Sequence, residues 1–135
     1  MAIKFLEHTA DIKFQATAET LEQAFAESAM ALKQSIAEDI KVKPAQEKTI
    51  NIKGKDTENL LYNFLEEFIF LLDSENFLLS EIKQIKINNL ELTATISGDS
   101  TENYKFTNSV KAITYNQMFI KQEKNKFTIQ VVLDV

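Results

Sequence analysis

Apolar residues recur along this chain at two different periods, and the switches between them mark out its elements. Ile3 and Phe5, then Ile12, Phe14 and Ala16, occupy every second position with polar or charged residues between. A period of two turns one face of an extended strand toward a core. Two half-buried strands are therefore expected, interrupted by a short irregular stretch around His8 to Asp11. Thr20 then opens a helix, with Gln23 three residues on at capping-box spacing. Leu21, Ala24, Phe25, Ser28, Ala29, Leu32 and Ile36 follow at helical spacing and predict one buried stripe. The pattern fades near Glu38 and Asp39.

Thr49 to Lys53 predicts a short strand, and Gly54 its turn. Asp56 or Thr57 caps a second helix carrying Leu60, Leu61, Phe64, Leu65, Phe68, Leu71 and Leu72, with Glu66 and Glu67 on its wet side. Alternation returns at Ile85 and Ile87, turns at Asn88-Asn89, and continues through Leu90, Leu92, Ala94 and Ile96. Ser97 to Asn103 predicts a polar loop. Tyr115 to Lys121, a Glu123-to-Lys126 turn, and Phe127, Ile129, Val131 and Leu133 predict a closing hairpin. Strand pairs separated by capped helices point to an α+β fold, a compact sandwich with mixed sheet pairing and two main helices. No repeat or linker divides the chain, so residues 1–135 are expected to form a single domain.

Composition removes most common chemistries. The absence of Cys excludes disulfides, thiolate zinc sites and cysteine nucleophiles. One His excludes multi-histidine zinc or copper sites. Two glycines, Gly54 and Gly98, leave no Rossmann fingerprint and no P-loop. All 15 basic residues are Lys, so no guanidinium can clamp a phosphate with two bonds. Carboxylates, hydroxyls, lysines and one imidazole remain. The net charge of −5 lacks the basic footprint of a general DNA or RNA binder. Lys41, Lys43, Lys48, Lys53 and Lys55 cluster, but they flank a predicted strand, where lysines blunt an exposed edge. The first residues reach charge before an apolar leader core can form. The longest apolar run, Phe68 to Leu72, is too short for a bilayer. A cytoplasmic protein without membrane contact is expected.

The densest reactive cluster is His8-Thr9-Ala10-Asp11. An imidazole and a carboxylate three residues apart can bind a metal or move a proton; equally, Thr9 and Asp11 can satisfy backbone amides in a turn, with His8 packed nearby. Glu38 and Asp39 stand at the end of the first predicted helix, where the macrodipole disfavours negative charge. A bound cation compensates for them, and so does Lys41 or Lys43. Asp134 is followed by Val135 and a carboxylate. If the last strand ends beside His8 to Asp11, then Asp11, Asp134 and that carboxylate form an all-oxygen pocket suited to Ca²⁺, Mg²⁺ or Mn²⁺. Lys111, in KAITY at 111–115, can meet a phosphate as a point charge.

HTADI at 8–12, TLEQAF at 20–25, NLLYNFLEEFIFLLD at 59–73, VKAITY at 110–115 and the closing LDV at 133–135 resemble the archease family, in order and over nearly the whole chain. The resemblance implies a compact α+β protein that serves as cofactor to an RtcB-class RNA ligase. That ligase joins 3′-phosphate and 5′-hydroxyl RNA ends with GTP and Mn²⁺ in tRNA splicing and RNA repair. The family is understood to promote guanylylation of the ligase, to restore it for many turnovers and to broaden its nucleotide use, catalysing nothing itself and meeting RNA only through the ligase. Carried over by position, Asp11 and Asp134 match metal-site aspartates, Val135 contributes main-chain oxygens, and the acid after the first helix matches Asp39 by type or Glu38 by spacing. Calcium is the first-choice ion, with magnesium or manganese as alternatives. His8 and Lys111 match motif positions and fall at the rim facing the partner. The sequence departs from the family pattern at Lys13 and Ala18, where glycine is usual, and at Asn116, where histidine is frequent. The loop before Val110 is short and lacks the usual histidine.

Two further readings use the same residues. The acidic pocket could serve a small divalent-metal phosphohydrolase with His8 as proton donor, or its acids could simply be the solvated face of an interaction module without metal.

Overall fold

A helix begins where a side chain takes over the amides that its first turn leaves unpaired. Thr20 does this for the first helix, its hydroxyl accepting from the Gln23 N–H at 3.1 Å, and Asp56 for the second, accepting from the Asn59 N–H at 2.8 Å. In the computed structural model, which describes residues 1–6 and 11–135, these helices are α1 (Leu21–Ala37) and α2 (Thr57–Glu75). The strands are β1 (Ala2–Leu6), β2 (Ile12–Ala18), β3 (Gln46–Lys53), β4 (Phe77–Asn88), β5 (Glu91–Ser100), β6 (Ala112–Glu123) and β7 (Lys126–Asp134).

The strands form two sheets, β1-β2-β7-β6 and β3-β5-β4. Both helices touch both sheets and so fill the layer between them. Phe14, Phe25, Leu32, Leu60, Phe64, Leu92, Ile129 and Leu133 are fully buried there. Phe64 lies against Phe25, with ring centroids 5.8 Å apart, and edge-on to Phe68 at 5.0 Å. The α+β class stands, but every pairing is antiparallel where mixed pairing was expected. The reason lies in β3-α2-β4. This crossover leaves β3 and β4 running the same way, and β5 then slots between them antiparallel to both.

Four boundaries differ from the sequence pattern. The first strand of the second sheet starts at Gln46, and β6 starts at Ala112. More telling is β4, which starts at Phe77; register shifts between Leu79/Glu81 and Ile82/Gln84 break its alternation. Opposite it, the expected loop from Ser97 is strand as far as Ser100, because Phe77–Leu79 pair with Ser100–Gly98 and bury Ser97 and Asp99. Glu66 is exposed as expected. Glu67 is half-buried, and burial together with Glu75 pushes its carboxyl pKa up. The lysine cluster falls on and beside β3, an edge strand, where Lys48 pairs with Glu75 at 2.9 Å, Lys53 with Glu91 at 3.9 Å, and Lys83 of β4 reaches Glu47 at 3.0 Å.

Candidate functional site

The first helix ends on two carboxylates without a glycine. Glu38 takes the C-cap position with φ 54° and ψ −128°, a positive φ that ordinarily selects glycine. Its N–H still bonds to the Gln34 carbonyl at 2.8 Å, and Ile40 N–H reaches Ala37 at 3.2 Å. The lysine that braces this turn is Lys33, one helical turn earlier, rather than Lys41 or Lys43. Its ammonium donates to the Ile40 carbonyl at 3.0 Å, and burial lowers its pKa.

The turn projects between two clefts. One, of about 620 Å³, is lined by Phe5, Leu6, Asp11, Ile12, Lys13, Gln34, Ser35, Glu38, Asp39 and Ser109. The other, of about 410 Å³, is lined by Ile36 to Ile40 and by Lys105, Phe106 and Thr107. Asp11 therefore shares a cleft with both acids that follow α1, so each alternative for the helix-end acid is in place. Phe5, expected on the inner face of β1, stands 44% exposed at the rim in an edge-type contact with Phe14, ring centroids 6.3 Å apart.

Asp134 enters from the neighbouring strand end. The β2–β7 ladder ends at Ile12 opposite Leu133, so Asp11 and Asp134 each stand one position beyond the same last pair. Asp134 is exposed and pairs with Ala112, and its carbonyl accepts from Lys111 N–H at 2.7 Å. This contact places Lys111 beside Asp134, while Val135 packs partly against the core. His8 lies outside the described residues. All the donors are hard oxygens, which fits a cation such as calcium. Among the described residues, however, no three His, Cys, Asp or Glu side chains gather closely enough to hold one ion. Among the described residues the arrangement is an open acidic rim.

One polar network escaped the sequence reading. Asp99, only 6% exposed, accepts from Tyr104 Oη at 2.8 Å, Ser100 N–H at 2.8 Å and Asn103 Nδ2 at 3.1 Å. Tyr104 Oη in turn accepts from Lys43 N–H at 2.8 Å. The network ties the segment after β5, which supplies Lys105, Phe106, Thr107 and Ser109 to the two clefts, to the chain entering β3. The run Asp-Ser-Thr-Glu-Asn at 99–103 carries the turn chemistry that signals it.

The Tyr104 hydroxyl, followed by the Ser100 amide, holds the Asp99 carboxyl below its ordinary 3.8. A depressed folded-state pKa gives stability that is present above the unfolded value and is lost as pH falls through the folded one. Asp99→Asn is therefore expected to lower the urea midpoint at pH 7, with the gap from wild type closing as pH falls below the ordinary carboxylate value of 3.8 and through the depressed folded-state one. Equal midpoints at pH 7 would mean that the network carries no weight.

The chain matches the family model described as the archease protein family over residues 4–135. It is 34% identical to protein archease of Pyrobaculum neutrophilum over 138 residues, covering 98% of this chain and 94% of that one. It is also 34% identical to protein archease of Sulfurisphaera tokodaii, covering 98% and 97%. The solution structure of Methanobacterium thermoautotrophicum protein 1598 superposes with a TM-score of 0.84 at 32% identity, covering 98% of each chain. The crystal structure of an archease and possible chaperone from Thermotoga maritima, at 21% identity and a TM-score of 0.63, covers 96% of this chain and 94% of its own and shares the fold. A family match across both sheets and both helices, joined to relatives about one-third identical over nearly their whole length, establishes that this chain belongs to the archease family.

Proposed function

We propose that this protein activates an RNA ligase of the RtcB class, promoting its guanylylation and repeated turnover and widening its nucleotide use, and is not itself a catalyst. Family membership supports the reading, and one observation carries it: Asp11 from the start of β2 and Glu38 and Asp39 from the end of α1 face a single cleft, with Asp134 at the adjoining strand end. Their chemistry suits a hard divalent ion, calcium first and magnesium or manganese otherwise, held by Asp11, Asp134, Glu38 or Asp39, and the Val135 main-chain oxygens. Such an ion would give an acidic face a positive centre toward phosphate-bearing groups. The residues themselves shape a rim: Lys33 and the Asp99–Tyr104 pair fix its walls, while Lys111, with His8 in the same motif set, faces the ligase. The activator role itself requires no direct contact with RNA. The reading places this work in the cytoplasm, alongside the ligase; no helix among the described residues is long and apolar enough to cross a membrane.

The test is ligation with the cognate ligase far below substrate, with and without this protein. Product is expected to rise from about one equivalent of ligase to many. Added Ca²⁺ or Mn²⁺ is expected to raise the melting temperature of the isolated protein by mass action. No stimulation of a ligase shown active in a single turnover would reject the activator role. Hydrolysis of a phosphoester by the isolated protein would favour the metal phosphohydrolase instead.

A further inference from the structure

Outside the acidic rim, the most deliberately built surface feature is a pair of tyrosines. Tyr62 of α2 and Tyr115 of β6 stack with centroids 4.4 Å apart and planes 8° from parallel. Tyr115 is the outer plate and remains 51% exposed. Its hydroxyl is held at 2.7 Å by Asn59 Nδ2, and the Asn59 Oδ1 accepts from Lys55 N–H at 2.9 Å and Asn63 Nδ2 at 3.2 Å. An exposed aromatic ring fixed by a chain of three amides is pre-organised, which packing alone does not require at a surface.

The strand is also distorted around this ring. Between Thr114, opposite Val132, and Phe119, opposite Gln130, β6 carries four residues against one. Gln117 in that bulge has φ 57°, and its carbonyl accepts from Gln130 Nε2 at 2.8 Å. Bulges of this kind re-aim side chains. The bulge also collects polar groups: Asn116 and Gln117 are exposed amides, and Lys13 Nζ reaches Gln117 Oε1 at 2.8 Å.

We propose that the open side of Tyr115 is a stacking platform for an unpaired nucleobase. Tyr62 already covers one face of the ring, so a base would complete a three-layer stack. Every base has a π face to offer. Asn116 and Gln117 bring the donor-acceptor pairs that match base edges, and Lys13 supplies a cation for a neighbouring phosphate. The amides that hold and follow the ring, with the Glu66 carboxylate beside Tyr62 on the covered side, favour a flat base with polar edges over an aliphatic side chain of a partner protein, which would need an apolar pocket to fill. A single stacking contact is also compatible with a net charge of −5, because it does not depend on neutralising a run of phosphates. The proposal goes beyond the activator role and needs no ligase, so the two fail separately.

The protein contains three Tyr and no Trp, so its intrinsic fluorescence reports largely on this stack. Titration with a ten-nucleotide oligoadenylate at low salt is expected to quench it, whereas an abasic phosphodiester of the same length is not. Tyr115→Ser is expected to weaken binding about 10-fold and Tyr115→Phe, which keeps the ring, to retain it. AMP binding as tightly as the oligonucleotide would support the stack and identify a free nucleotide as its source. No quenching by wild type, equal binding of the abasic strand, or a folded Ser variant that binds like wild type would each overturn the proposal.

Discussion

Gly98→Ala is expected to destabilise the protein by about 3 kcal/mol, roughly 10 °C in melting temperature. Gly98 lies in the central strand of the second sheet, opposite Gln46 on one side and Leu79 on the other. A Cβ there would strike the Leu78 carbonyl oxygen and come within 2.5 Å and 2.9 Å of the Phe77 ring. A flexible side-chain tip could swing aside at little cost, but a backbone carbonyl in the β4–β5 ladder moves only if the ladder opens, and Phe77 is buried. Thermal melts by circular dichroism measure the loss. A change under about 1 kcal/mol would show that the end of β4 yields freely.

The second large effect concerns the acidic rim. Asp11→Asn keeps the side-chain shape and removes one charge, and it is expected to cut ligase stimulation by about 10- to 100-fold, the range seen when metal-site support is lost. Multiple-turnover ligation reads this loss, and wild-type stimulation by the variant would move the activating function elsewhere. Glu38→Gly is the informative partner variant. It relieves a positive φ and removes a carboxylate from a helix C-terminus, and is expected to raise stability by about 1 kcal/mol in the absence of metal. A protein that gains stability when a rim acid is removed holds that acid for some purpose other than folding.

The helices were legible because caps and stripes agree: Thr20 and Asp56 accept the amides their spacing predicts, and the stripe residues from Ala24 to Ile36 and Leu60 to Leu72 are buried. The turn at Glu123 to Lys126 and the last strand were legible from Phe127, Ile129, Val131 and Leu133, whereas the start of β6 and its bulge between Thr114 and Phe119 were not. The first half of β4 was not, because its bulges scramble a period that pattern reading depends on. Ser97 to Asp99 resembled a loop because small and polar residues in a central strand are justified only by what lies across the ladder, here Phe77 to Leu79. At the candidate site, alternation placed Asp11 and Asp134 each at a strand end but not side by side, because which strands pair is not encoded in their period; their meeting, and their relation to Glu38 and Asp39, came from family resemblance. The walls supplied by Lys105 to Ser109 depend on the Asp99–Tyr104 bond, a contact between a strand and the turn after it that no period encodes.

The sheet order also dictates an order in time. In the first sheet β2 lies against β7, and the side chains of Gln15 and Gln130, 115 positions apart, bond across that join. In the second, both outer strands are synthesised before the strand that unites them. The second sheet is complete in sequence once β5 ends at Ser100, whereas in the first β2 waits for β7, the last strand made, to close its open side. Such long-range pairing carries a high loop-closure cost and folds slowly. The ladder that sets Asp11 beside Asp134 is completed only by β7, so the acidic rim cannot form before the last strand of the chain is available.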